Sequence, residues 1–242
     1  MTAQASGKPA AGHKSRPWYR RYPAAVFLGA LGLAMISSPF TEAQEGDQLA
    51  ESVRLTLVLL TGLLAVGGRH RTLLLGIMLV LPALIGKWVD HWRPDLVPDW
   101  TFLLPGVLFV LFVIFQLLRF ILRAPHVNSE VLCAGISGYL LLGLLWSLAY
   151  TLVAQLDPAA FAFTAGPAGA HSMKGFTALY FSFVTLSTVG FGDILAVSNP
   201  ARMLAMTEAV IGIFYSTILI ARLVSLYSAQ PPETGPQDRR GL

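Results

Sequence analysis

The sequence predicts an all-α membrane protein with six transmembrane helices and a short re-entrant helix between the fifth and the sixth. Three observations carry this. Hydrophobic residues make up 55% of the 242 and charged residues 12%, at a mean hydropathy of +0.62, which leaves too little polar surface to cover a water-facing globule. The apolar residues gather into six runs, at 24–40, 55–66, 73–85, 102–118, 131–153 and 203–226. Most basic residues flank those runs, and they fall on one side when the helices alternate.

Residues 1–22 open the chain as a small, polar, basic tail with no apolar period over Met1 to Pro17, and disorder on the cytoplasmic side is expected. A helix crossing the hydrocarbon needs roughly 20 residues, with about 17 to 25 tolerated. The first and fourth runs reach that length, and the fifth and sixth exceed it. The second and third are short. The second gains length if it starts near Asp47, with Glu51 and Arg54 at the headgroups, and the third if it continues through Trp88.

Lys8, Lys14, Arg16, Arg20, Arg21, Arg69, Arg71, Arg119, Arg123, Arg239 and Arg240 define one side. Glu42, Glu45, Asp47, Asp90, Asp95, Asp99, Asp157 and Asp193 take the other, with Trp92 and Trp100 as interfacial anchors and Lys87 and Arg93 as a basic minority. Both termini are thus expected in the cytoplasm, with the chain in an inner or plasma membrane. Arg20 and Arg21 before the first run also allow a signal-peptide reading, which would leave five helices in the same orientation.

Composition excludes several classes of function. The net charge is +4 and the pI about 9.4, but the basic residues form no stripe, so nucleic acid is not an expected partner. Cys133 alone cannot make an internal disulfide framework. The histidines at 13, 70, 91, 126 and 171 lack ligand spacing. With no nucleotide loop, Ser-His-Asp order or zinc motif, neither an enzyme, a cofactor nor a soluble small-molecule substrate is expected.

Residues 157–200 hold the unusual chemistry. The stretch 157–171 is rich in Ala, Gly and Pro and suits an exposed turret. Ser172 is then the expected N-cap of an apolar helix over 173–186. At ~1.5 Å per residue that helix is about 21 Å long, too short to cross and long enough to reach mid-membrane. Thr185-Leu186-Ser187-Thr188-Val189-Gly190-Phe191-Gly192-Asp193 follows. An extended strand whose carbonyls all face one way needs alternating backbone twists that side chains resist, and Gly190 and Gly192 remove that resistance.

Thr188-Val189-Gly190-Phe191-Gly192 resembles the TVGYG selectivity filter of tetrameric potassium channels, with Phe for Tyr, and the likeness extends over a pore module at about 131–228. The resemblance implies potassium ions held by carbonyl rings at Thr188, Val189, Gly190 and Phe191 in place of hydration water, with a Thr188 hydroxyl ring at the cavity end. Val189 and Phe191 would pack against the pore helix, while Thr185, Ser187, Asp193 and Glu208 support the filter. A single motif copy cannot surround an ion, so a homotetramer is implied, with membrane lipids around it. Gly212 stands where similar channels have an inner-helix hinge, and close helix packing is the other reading. Ser216, Ile220 and Val224 follow on one face toward the cavity, and Arg222 is either an interfacial residue or a gate. This sequence departs from the pattern at Phe191, which lacks a hydroxyl. It also carries Val184, Tyr180 and Phe181 where relatives often place a Glu and a Trp cuff, so the usual anchors of Asp193 are absent or replaced.

Four domains follow: the tail 1–22, a four-helix membrane domain 23–124, the ion-conducting pore domain 125–229 and a short cytoplasmic tail 230–242. The four-helix domain resembles a voltage-sensor layout without gating charges. One charge moved through 100 mV yields only about 2.3 kcal/mol, so sensors stack several basic residues, whereas 102–118 holds none and Arg119 and Arg123 sit at its end. A passive potassium-selective channel is expected, with a weakly selective cation pore and a non-conducting transporter or assembly subunit as the rivals. Glu208 is the acidic residue well inside a spanning run, about 12 Å along a helix that starts near Pro200. Ser182, Thr185 and Tyr180 are its candidate donors if it braces the filter, and a fifth-helix group or water if it does not.

Overall fold

The computed structural model describes residues 23–42, 53, 56–63, 70–92, 100–126, 128–164 and 172–228. The sequence-predicted tails, the ends of the second apolar run at 55 and 64–66, and the turret residues 165–171 lie outside them. Helix α1 spans Pro23–Glu42, α2 His70–Trp92, α3 Trp100–Arg123 and α4 Ser129–Leu156. Strand β1 (Phe161–Phe163), helix α5 (Gly175–Leu186), strand β2 (Ile194–Ala196) and helix α6 (Asn199–Ser228) complete the order, and residues 56–63 are also helical.

The protein is mostly helical. Among the described residues, four helices are long and apolar enough to cross a membrane, at Pro23–Phe40, Leu104–Arg123, Ser129–Leu156 and Asn199–Ser225. They correspond to the first, fourth, fifth and sixth apolar runs. The third run lies in α2, whose apolar part, Thr72–Gly86, is shorter than a span. Prolines at 39, 82 and 105 sit inside helices, which membrane helices tolerate because neighbouring groups take up the freed carbonyls. Asn128 caps α4 by accepting the Val131 N–H at 2.9 Å, and Ser198 caps α6 by accepting the Ala201 N–H at 3.3 Å.

Two cores organise the chain. The first joins Phe27 and Leu31 of α1, Val113 and Ile121 of α3, and Val131 and Ala134 of α4, with α2 and residues 56–63 contributing further apolar side chains. Helices α1 and α3 are thereby packed on the α4 of their own chain, and α2 on α3. Polar ties reinforce this: the Ala24 N–H donates to Glu130 at 2.9 Å, satisfying an orphan donor of the first turn of α1. Arg222 donates to the Leu122 and Ala124 carbonyls at 3.1 and 3.0 Å, so it fastens α6 to the C-terminal end of α3.

The second core gathers Tyr150, Ala160, Phe161, Met173, Phe181 and Ile194. The rings of Tyr150, Phe161 and Phe181 meet edge-to-face at centroid distances of 4.8 to 5.7 Å, a geometry that adds to the burial of their area. Here the structure corrects the expected turret. Ala160 and Phe161 are buried, and β1 pairs antiparallel with β2, Phe161 opposite Ala196 and Phe163 opposite Ile194. Three-residue strands are too short to leave a period in the sequence. A second correction concerns Ser172: α5 begins at Gly175, with Lys174 in the cap position and no side-chain cap bond.

Glycines set the approach of the helices. A Cβ on Gly138 would overlap the Tyr215 hydroxyl, which donates to the Gly135 carbonyl at 2.7 Å, so the ring cannot yield without losing that bond. A Cβ on Gly106 of α3 would meet nothing within 4 Å. Gly138→Ala is therefore expected to destabilise the protein by about 1–3 kcal/mol, and Gly106→Ala to leave it unchanged or raise stability by up to about 1 kcal/mol through helix propensity. Thermal unfolding of both variants in the same detergent checks this, and equal shifts would contradict it.

Candidate functional site

The site is built at the C-terminal end of α5. Twelve residues long, this helix spans about 18 Å against a hydrocarbon core of about 30 Å. It is packed between α4 and α6, with α1 also touching it. A Cβ on Gly143 of α4 would overlap the Phe183 ring of α5, and one on Gly212 of α6 would overlap the Leu186 carbonyl. The packing reading of Gly212 thus has a definite partner, the last residue of α5.

Beyond Leu186 the chain folds back over the helix end. The Ser187 N–H donates to the Phe183 carbonyl (3.0 Å), Thr188 to Thr185 (2.9 Å), and Val189 and Gly190 both to Val184 (2.9 and 3.3 Å). The Ser187 hydroxyl adds a bond to Phe183 at 2.6 Å. These bonds use carbonyls that a helix terminus leaves unpaired. Val184 and Thr185 support the loop through their main chain.

From there every second residue is left-handed. Thr188 has φ +59°, Gly190 +58° and Gly192 +79°. The twist expected at the two glycines is present, and Thr188 adopts it as well, the non-glycine with positive φ among the described residues. That conformation is costly for a β-branched residue and persists only where the surroundings impose it. A Cβ on Gly190 or Gly192 would meet nothing within 4 Å, so in this chain backbone geometry, not crowding, calls for glycine.

The other end of the loop is pinned from two sides. Thr164, just after β1, donates its N–H to the Asp193 carbonyl at 2.8 Å, and its hydroxyl lies 2.9 Å from the Gly192 carbonyl and 3.1 Å from that of Asp193. The Tyr180 hydroxyl donates to the Asp193 carboxylate at 2.8 Å, while the Tyr180 ring stacks on Phe191 at 6.4 Å and 6°. Asp193 therefore has an anchor, supplied by Tyr180 of α5. Val189 and Phe191 were expected to be covered by the short helix. Within the single chain they remain 55% and 69% exposed, lining an apolar hollow with Met35, Phe176, Leu179 and Phe183.

Glu208 of α6 is wholly buried, as are Tyr150 and Ser182. Tyr150 donates to one carboxyl oxygen, and the other lies 2.5 Å from the Ser182 hydroxyl, which also lies 2.7 Å from the Gly143 carbonyl. Of the three expected donors only Ser182 is in place, since the Tyr180 hydroxyl goes to Asp193. A partner on the fifth run, Tyr150, shares the carboxyl group with it. A polar ring within the apolar fifth run and an acid within the sixth are the available signals. No sequence signal pointed to Thr164. Further along α6, Ser216 is half-buried, and Ile220 and Val224 are exposed.

A protein-family model described as an ion channel matches residues 135–229, covering most of α4 and all of β1, α5, β2 and α6. The match supports an ion-channel function for this part of the chain, and the long apolar helices agree with a membrane protein. Comparison with curated proteins and with solved structures gives no match.

Tyr180→Phe keeps the stacked ring and removes the hydroxyl from Asp193. Amide hydrogen exchange over 191–194 is expected to quicken by about tenfold, the equivalent of about 1.4 kcal/mol for one bond to a charged group. Unchanged exchange would mean that Asp193 is held without it.

Proposed function

We propose that the chain is a passive, potassium-selective channel in which four copies surround one pore in an inner or plasma membrane, both termini cytoplasmic and the site at 187–193 re-entrant. The observation that carries this reading is the alternation of left-handed residues at 188, 190 and 192 at the end of a helix too short to cross. Repeated twists of this kind turn successive carbonyls to the same side. Four such strands stack rings of oxygen from Thr188 to Phe191 that replace the hydration shell of a potassium ion. Irregular backbone at this depth needs protein on one side and a water-filled path on the other.

Assembly is supported by what the single chain leaves uncovered. Met203, Met206, Phe214, Ile220 and Val224 of α6 are exposed, as are Val189 and Phe191. In the tetramer, neighbouring copies cover Val189, Phe191 and part of α6, and Ser216, Ile220 and Val224 line the cavity. Gly212 keeps α6 against the end of the pore helix and provides the hinge. The rival reading, a weakly selective cation pore, is favoured by Phe191, whose ring reaches Tyr180 but which has no hydroxyl to bond behind the filter.

In planar bilayers the purified full chain is expected to pass current whose reversal potential follows the potassium gradient. Gly190→Ala should abolish that current, because a methyl group resists φ near +58°. Undiminished selective current in the variant would overturn the filter assignment, reversal midway between potassium and sodium would favour the rival, and the absence of any current from the wild type would favour a non-conducting role. Conductance is expected to depend only shallowly on voltage, since 102–118 carries no basic residue. A steep curve equivalent to several charges per copy would contradict that.

A further inference from the structure

Glu208, Ser182, Tyr150 and the Gly143 carbonyl form a closed set of contacts in which every proton can be counted. Glu208, Ser182 and Tyr150 are each fully buried, so water does not complete the set. The Gly143 carbonyl can only accept, and Ser182 has one proton. With an ionised Glu208, Ser182 and Tyr150 both donate to the carboxylate, and Ser182 has nothing left for the carbonyl 2.7 Å away. Two acceptor oxygens then face each other in a dry interior, beside a buried charge whose partners are two neutral hydroxyls. A dry interior strongly disfavours such an arrangement.

A proton on Glu208 resolves every contact. The acid O–H donates to Ser182 across 2.5 Å, Ser182 donates to the Gly143 carbonyl, and Tyr150 donates to the other carboxyl oxygen. The chain of donors runs from α6 through α5 to α4 without a gap or a repeat. The remaining phenols of these helices are turned elsewhere, Tyr180 to Asp193 and Tyr215 to the Gly135 carbonyl, while Tyr139 packs on Phe183 and Tyr215.

We infer that Glu208 is a neutral carboxylic acid and a positioning residue, whose proton links α6 to α5 and so holds the short helix behind the 187–193 loop. Ser182 lies one turn before Leu186, whose carbonyl abuts Gly212, so acid and glycine bear on the same end of the helix. The consequence for conduction rests on the pore reading above, and the protonation state does not.

Two measurements on the full chain separate those claims. The infrared spectrum of wild type minus Glu208→Gln, in lipid at neutral pH, should show the carbonyl stretch of a protonated acid, shifted in deuterated water. Carboxylate bands in its place would overturn the inference, whether or not the channel conducts. In single-channel records Glu208→Gln should keep wild-type open times, because its amide donates to Ser182 and accepts from Tyr150 as the neutral acid does. Glu208→Ala should shorten them by about tenfold, the value of one lost buried hydrogen bond. Wild-type open times in Glu208→Ala would overturn the positioning role, as would failure of Glu208→Gln to retain them. A protonated-acid band from a protein that passes no current would uphold the protonation state and sink the pore reading instead.

Discussion

Backbone polar groups have no water to turn to inside a bilayer, and on the proposed re-entrant reading that constraint governs how this chain arranges everything around residues 187–193. The loop is neither helix nor ladder, so each N–H and carbonyl it presents needs a partner from protein or from a water-filled path. Its first N–H groups are taken by the carbonyls that end α5, and its last carbonyls by Thr164. Between them stand the residues with alternating twist, whose carbonyls an ion would use on the proposed reading.

The other features serve to keep that loop in place. The ribbon of β1 and β2 brings Thr164 to the loop, and the ring cluster of Tyr150, Phe161 and Phe181 anchors the ribbon to α4 and α5. Glycines at 143 and 212 let α4 and α6 close on α5, and the buried acid supplies the polar contact between those surfaces. Thr188 is held in a strained twist, and strain of that kind stays only in a surrounding that leaves no alternative. On the N-terminal side, the ties of Glu130 to α1 and of Arg222 to α3 bind those helices to α4 and α6, which carry most of the match to ion channels.

Much of this was legible in advance, because hydrophobic length and glycine spacing are direct physical signals. The runs at 24–40, 102–118, 131–153 and 203–226 became helices long enough to span, and the short helix ended where the motif begins. The glycines at 190 and 192 announced their own twist. The left-handed Thr188 was hidden, since a β-branched residue argues against that conformation until its neighbours are known. Tyr180 as the partner of Asp193 and Tyr150 as the partner of Glu208 depend on helix rotation, which six nearly uniform apolar runs do not encode. The ribbon was hidden for a different reason: strands of three residues pair through contacts some 30 positions apart, and local patterning does not reach that far.

The central claim is that four copies turn the carbonyls of 188–191 toward a shared axis and that potassium occupies the space between them. An electron cryo-microscopy map of the full chain in lipid nanodiscs, recorded in potassium and again in sodium, tests it most directly. The account predicts fourfold symmetry with separate densities on the axis, level with those carbonyls, in potassium. A different number of copies, or a loop whose carbonyls face away from any common axis, would contradict it.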